Sequence, residues 1–152
     1  MDKLLSTDMV QTQKKADDWQ AVAKMSGSLL LEKDLIEEKY IEAMIKAVEE
    51  HGMYIVIAPG IALFHARPEQ GVKETGLSLI TLKGGVNFGV ADKDPVYLAF
   101  ALAAKDKTSH LDLLSNLSKV LQDQAVVEKL KQALDEKTLV DVLNQKLKEE
   151  TK

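Results

Sequence analysis

Tyr54-Ile55-Val56-Ile57-Ala58-Pro59-Gly60-Ile61-Ala62-Leu63-Phe64-His65-Ala66-Arg67-Pro68-Glu69-Gln70-Gly71-Val72 is the stretch on which the reading of this chain turns. Residues 54–58 form a short apolar run rich in β-branched side chains, which reads as a strand. Pro59-Gly60 punctuates it, and a second apolar run then delivers His65 and Arg67. Arg67 is the only arginine in the sequence; every other fixed positive side chain is lysine. Imidazole is a nucleophile near neutral pH, and a guanidinium is a planar fork that suits a phosphoryl group. If the segment after Gly60 is extended, residues two apart point to one side, so His65 and Arg67 share a face. That pattern suits a phosphorylatable histidine. Read from composition alone, it also suits a surface histidine beside an arginine paired with Glu69.

Working outward, residues 1–15 are polar with little periodicity and are expected to be loosely ordered. Asp17 or Asp18 is a plausible N-cap for a helix carrying Trp19, Val22, Ala23 and Ser26, which Gly27 interrupts or ends. Ile36, Tyr40, Ile41, Met44, Ile45 and Val48 make one apolar stripe with the glutamates outside it, a helix stopped by His51-Gly52. Residues 77–82 alternate as a strand, Lys83-Gly84-Gly85 reads as a turn, and residues 86–88 as a short returning strand of a hairpin. The nine uncharged residues 96–104 read equally as a buried strand or a buried helix. The last third is helical, with stripes Leu111/Leu114/Leu117/Leu121, Val126/Val127/Leu130/Leu134 and Leu139/Leu143/Leu147. Helices early and late around short central strands give an α/β fold: a small mixed central sheet flanked by helices as a sandwich, in one domain over 1–152.

Composition narrows the function. The chain has 152 residues, which fits one domain. Twenty basic against 24 acidic residues give a net charge of −4 with no basic block, so nucleic acid is not an expected partner. The absence of cysteine excludes disulfides, thiolate metal sites and cysteine nucleophiles. The first residues lack the apolar core of a signal peptide, and no run is long enough to span a bilayer. A soluble cytoplasmic protein without membrane insertion is the expectation. Gly84-Gly85 lacks the spacing of a phosphate-binding loop. His51 belongs to no motif and reads as a C-cap or surface residue. The three histidines offer no His-x-x-x-His pair, so no metal is expected.

Ala-Pro-Gly-Ile-Ala-Leu-x-His-Ala-Arg-Pro-Glu-x-Gly-Val at 58–72 resembles the active-site signature of enzyme IIA of the bacterial phosphoenolpyruvate-dependent sugar phosphotransferase system, mannitol/fructose type. Its wording is most similar to the ascorbate-specific branch. Gly-Gly-Val-Asn-Phe-Gly at 84–89, Asp-Pro-Val-Tyr-Leu-Ala-Phe-Ala-Leu-Ala-Ala at 94–104 and Ser-His-Leu-Asp-Leu-Leu-Ser-Asn-Leu at 109–117 follow in the same order. The likeness covers roughly residues 20–145.

The resemblance implies a phosphotransferase component that needs no cofactor or metal. His65 would accept a phosphoryl group from the phosphohistidine of HPr, on the ring nitrogen remote from the backbone. It would pass the group to a cysteine of a cognate IIB protein, which serves uptake of a carbohydrate, L-ascorbate above others, through a membrane IIC permease. His110 matches the family's second histidine and would support the phosphoryl group. Ser109 with Asp112 resembles a capping box there, and a helix N-terminus favours an anion. Arg67 would neutralise charge on the moving group or greet a partner, and Glu69 would orient Arg67 or His65. A regulatory phosphohistidine module controlling partner proteins is the alternative. Two departures stand out: Phe64 replaces the family's usual proline, and Glu49-Glu50-His51-Gly52 stands where mannitol-type members carry an arginine. Phe64, Ile61 and Leu63 are candidates for a docking surface, with some of them core.

Overall fold

The computed structural model describes residues 4–150. Five strands form one mixed sheet: β1 (Val10–Lys14), β2 (Val56–Ala58), β3 (Ile61–Phe64), β4 (Gly76–Val86) and β5 (Val96–Ala103), in the order β1-β4-β5-β3-β2. β1 runs parallel to β4 and β3 parallel to β5, while the β4–β5 and β2–β3 pairs are antiparallel. Five helices flank it: α1 (Trp19–Glu32), α2 (Glu38–His51), α3 (Lys107–Leu121), α4 (Gln124–Gln132) and α5 (Glu136–Glu150). α1 packs on β4 and β5 with α2 against it; α4 lies on β4 and β5, α5 on β1, and α3 on α4 and α5. The α/β sandwich with a small mixed sheet is the expected architecture.

β5 settles the ambiguity at residues 96–104. Successive strand residues point to opposite faces, yet Leu98 through Ala103 are all buried. Both faces of β5 are therefore covered, and a central strand of that kind reads as a continuous apolar run with no alternation.

Three other expectations are corrected. Residues 1–3 lie outside the described residues, but the polar stretch after them is ordered from Leu4. Leu4 and Leu5 are buried, and the Asn144 side chain on α5 accepts from Leu4 N (2.8 Å) and donates to Leu5 O (2.8 Å). β1 pairs in parallel with β4 and buries Val10, and polar partners that no hydrophobic period reveals add to its hold. Gln13 donates from Nε2 to the carbonyls of Lys131 and Ala133, both at 3.0 Å, and its backbone N–H to Thr81 Oγ1 at 2.8 Å. Buried polar groups satisfied in this way cost little. Next, Gly27 neither breaks nor ends α1. A Cβ there would lie 2.6 Å from Ile41 Cγ1 of α2, so its small size lets the two helices approach. Last, Gly84-Gly85 is not a hairpin turn. β4 continues through both glycines at φ +76° and +74°, with a register shift between Thr81 and Val86, and Val86 pairs with Val96. A Cβ on Gly85 would meet Pro95 Cβ at 2.7 Å, so the pair is a bulge. The connection is residues 87–95, where the Asp94 carboxylate accepts from the N–H groups of Phe88, Gly89 and Val90 at 2.8, 2.9 and 2.9 Å.

The α2 stripe holds for Tyr40, Ile41, Met44 and Val48, which are buried, and the helix stops at Gly52; Ile45 is only half-buried, and Ile36 is buried but precedes the helix, in an isolated bridge with Val72. In α3 the phase differs. Leu113, Leu117 and Val120 are buried, while Leu111 is 54% exposed. In α4 the buried pair is Val127 and Leu130, and Leu134 lies exposed beyond the helix. Leu139, Leu143 and Leu147 of α5 are buried as a set.

Tyr40 ties α2 to the ends of two strands. Its fully buried hydroxyl lies 2.8 Å from the Leu102 carbonyl and 3.2 Å from the Ala66 carbonyl, and it accepts from Ala66 N at 2.9 Å. Burial pushes the phenol up to about 12, so it stays a donor. Tyr40→Phe strands the Ala66 N–H and the Leu102 carbonyl and should cost about 1–3 kcal/mol in urea unfolding. Gly27→Val should cost about 1–3 kcal/mol by forcing α1 away from Ile41; an unchanged midpoint would mean that α2 yields freely.

Candidate functional site

The sheet itself brings the site together. β3 and β5 are parallel, with Phe64 opposite Ala101, so both strands end at the same edge. His65 follows β3 directly, and β5 leads through a short turn into α3, where His110 sits in the first turn and a half. In open α/β sheets, clefts form outside the carboxyl ends of strands for this topological reason. The ring centroids of His65 and His110 lie 5.9 Å apart.

His65 is half-buried, and its ring Nδ1 lies 3.0 Å from the Leu63 carbonyl. A carbonyl can only accept, so Nδ1 carries the proton and Nε2 keeps the lone pair. Burial is the main influence on the ring and pushes its pKa below the ordinary imidazole value. The Leu63 carbonyl opposes that shift, and the charge on His110 adds to it. The histidine is thereby biased toward the neutral, nucleophilic form.

Its other neighbour was not read from the sequence as part of the site. Tyr54, in the turn before β2, meets the His65 ring at a centroid distance of 5.3 Å with the planes at 87°. Its hydroxyl lies 3.4 Å from the His65 carbonyl. The sequence placed Tyr54 only at the start of an apolar run. An aromatic eleven residues before a histidine, across a Pro-Gly break, is the sole signal that was there to find.

His65, His110 and Arg67 line one cleft of about 600 Å³ with Tyr54, Ala66 and Gln70. α2 forms the facing wall through Ala43, Lys46, Ala47, Glu50 and His51. His65 and Arg67 thus share a space as expected, although β3 ends at Phe64 and a strand alternation is not the cause. Arg67 is exposed at the head of a 3-10 turn, Pro68–Gln70, whose geometry is held by Arg67 N donating to Gln70 Oε1 at 3.1 Å. Glu69 is exposed on that turn and is not among the residues lining the cleft. Among the described residues no ion pair joins Arg67 to Glu69. His51, read as a cap, ends α2 and also faces the cleft.

α3 is capped by Asp106, whose carboxylate accepts from Ser109 N at 2.7 Å, and not by the Ser109/Asp112 pair. That hydrogen bond, made by the backbone N–H first, keeps the Asp106 carboxyl below its usual range. Phe64, Ile61 and Leu63 are all core, which removes them as a docking surface; Phe64 packs against Phe88 with ring centroids 5.9 Å apart. Among the described residues no group of three His, Cys, Asp or Glu side chains is placed to hold a metal ion, and no helix is long and apolar enough to cross a membrane.

Comparison with known proteins shows the family. The chain is 37% identical over 131 residues to the ascorbate-specific phosphotransferase-system EIIA component of Shigella boydii, covering 86% of this chain and 85% of that protein. Its fold matches the solution structure of the mannitol-specific cryptic phosphotransferase enzyme IIA CmtB from Escherichia coli. There the TM-score is 0.83 and the identity 36%, over 95% of this chain and 97% of that one. A complex of enzyme IIA-mannitol with phosphorylated enzyme IIB-mannitol from Escherichia coli shares the fold at a TM-score of 0.82, with 22% identity over 93% of this chain and 97% of that one. Residues 3–146 match the model of the phosphoenolpyruvate-dependent sugar phosphotransferase system EIIA 2 family. On a match of that extent, the chain belongs to the EIIA 2 family and is a phosphotransferase component of a sugar phosphotransferase system.

Proposed function

We propose that His65 is the residue that carries the phosphoryl group, taking it from the phosphohistidine of HPr and passing it to a cysteine of a IIB partner. The observation that supports this most directly is the ring geometry: Nδ1 committed to the Leu63 carbonyl, and Nε2 left as a lone pair in a cleft shared with a second histidine. In the first transfer, Nε2 attacks phosphorus as the N–P bond of the donor breaks, and the donor imidazole departs. Positive charge appears on the His65 ring, and the Leu63 carbonyl stabilises it by accepting Nδ1–H. In the second, a cysteine thiolate attacks phosphorus, the Nε2–P bond breaks, and neutral His65 is regenerated. Both steps are in-line exchanges in which the protein contributes position and charge rather than new covalent chemistry.

On this reading His110 donates to a phosphoryl oxygen, and Arg67 offsets its charge from the exposed side; the shared cleft and the 5.9 Å separation of the two histidine rings support it. Glu69, off the cleft, is left with at most an indirect role through its turn. The carbohydrate we infer is L-ascorbate, on the strength of the ascorbate-specific relatives, with a IIC permease completing the system. The protein works in the cytoplasm, where HPr is found.

Intact-mass spectrometry after incubation with phosphoenolpyruvate, enzyme I and HPr tests the role of each histidine. Wild type should gain one acid-labile phosphoryl group, His65→Ala none, and His110→Ala should gain it at a rate lower by about 100- to 1,000-fold, the scale of losing one charge-stabilising donor. Uptake by His65→Ala equal to wild type would move the acceptor elsewhere.

The pKa of His65 gives a second test. Its folded value lies below the ordinary imidazole value of about 6.5. The neutral nucleophile should therefore persist below that pH, with the titration midpoint of the His65 ring, followed by NMR, falling under it. The sign for stability follows. The unfolded chain binds the proton more tightly, so the contribution of His65 is complete above about pH 6.5 and is lost as pH falls through the folded value. A midpoint at or above the ordinary value would show that burial does not govern the ring.

A further inference from the structure

The Leu63 carbonyl anchors the His65 imidazole at one atom, and a single hydrogen bond leaves the ring free to pivot about that contact. A second contact is needed to set its plane. Tyr54 makes one. The two rings meet at 87°, the edge-to-face arrangement that aromatic pairs favour and that has a directional preference of its own. The Tyr54 hydroxyl also reaches the His65 carbonyl, so one tyrosine touches both the backbone and the ring of the same residue. Tyr54 is 44% exposed and lies in the turn between α2 and β2, outside the core. A side chain that contributes so little to the core while bracing the reactive ring has a local task.

We propose that Tyr54 is a positioning residue for His65: its ring, together with the Leu63 carbonyl, fixes the plane in which Nε2 faces the cleft and covers one flank of the imidazole against water. The proposal rests on His65 as the phosphoryl carrier. Burial of the His65 ring is the main cause of its lowered pKa, and the Tyr54 ring lies against it. The other charged or titratable groups around the cleft are His110 on α3, Arg67 after β3, and Lys46, Glu50 and His51 on α2. Substitution at Tyr54 leaves all of these in place, so a comparison of variants isolates the share of the ring.

The test uses the full chain as wild type, Tyr54→Phe and Tyr54→Ala. Imidazole nitrogen NMR reads the tautomer and titration of His65, and phosphoryl uptake from phospho-HPr reads the rate. Tyr54→Phe keeps the ring and should match wild type in all three. Tyr54→Ala should raise the His65 midpoint toward about 6.5, admit the Nε2–H tautomer, and slow uptake by about three- to tenfold, the scale of one aromatic pair. An unchanged tautomer and midpoint in a folded Tyr54→Ala overturns the proposal even where uptake falls, because a loss of rate alone marks a partner contact. A wild type that takes up no phosphoryl group defeats the carrier reading, while the tautomer and midpoint of the variants still decide whether Tyr54 holds the ring.

Discussion

The parallel pairing of β3 with β5 is the constraint on which the rest of the molecule depends. Parallel strands end at a common edge, and each of these two ends in a segment that carries a histidine. Had β3 paired antiparallel to β5, His65 and His110 would lie at opposite edges of the sheet, whatever their chemistry. The pairing is secured by burial. β5 is covered on both faces and flanked on both sides, so its register cannot slip without moving Leu98 to Ala103 between the two helical layers. The position of the two histidines is thus set by a strand buried on both faces.

Within that frame the His65 environment balances two opposed demands. A nucleophile must keep its lone pair, which burial promotes by disfavouring the charged ring. On the role proposed for His65, transfer would make the ring positive, which the Leu63 carbonyl would favour. Tyr40 supports this balance from below. Its hydroxyl accepts from the Ala66 N–H and donates to the Leu102 carbonyl, which ties the chain leaving His65 to β5. Fixed positive charge is sparse. Arg67 is exposed, and the facing wall of α2 contributes Lys46 and His51 with no arginine. Charge on a phosphoryl group here would be met mainly by the histidine pair and by exposed cations, and exposed charges act weakly through water.

What could be read in advance followed the strength of local signals. The α2 stripe and the α5 stripe are single-phase periodic patterns; α5 is core as read, and α2 is core at Tyr40, Ile41, Met44 and Val48, with Ile45 half-buried and Ile36 ahead of the helix. α3 carries leucines on more than one face, so its period is clear and its phase is not; tertiary packing chose Leu113 over Leu111. The two glycine errors have one cause. Gly27 and Gly85 are small because another element comes within a Cβ's reach, Ile41 in one case and Pro95 in the other. Sequence shows the glycine but not the neighbour. β1 was hidden for the opposite reason: beside its pairing with β4 it is held by hydrogen bonds to α4, α5 and Thr81, and among its five residues only Val10 is a buried apolar one. His65, His110 and Arg67 were legible as motif residues. Tyr54 was not, because its contact with His65 is made across the β2–β3 connection.

Phe64 shows how a departure in sequence can be absorbed by structure. Proline before the histidine would have fixed φ and removed a donor. Phe64 has neither property, yet its backbone is held in β3, between β5 on one side and β2 on the other. Its ring is sealed in the core against Phe88, which belongs to the connection that Asp94 gathers through three N–H groups. The rigidity that a proline would confer through a single torsion is supplied here by sheet pairing and by aromatic packing. The cost is placement: a residue committed to the core has no surface left for a partner. A partner recognised at this edge would meet the side chains that remain exposed around the cleft, while Phe64, buried against Phe88, helps to hold the chain leading into His65.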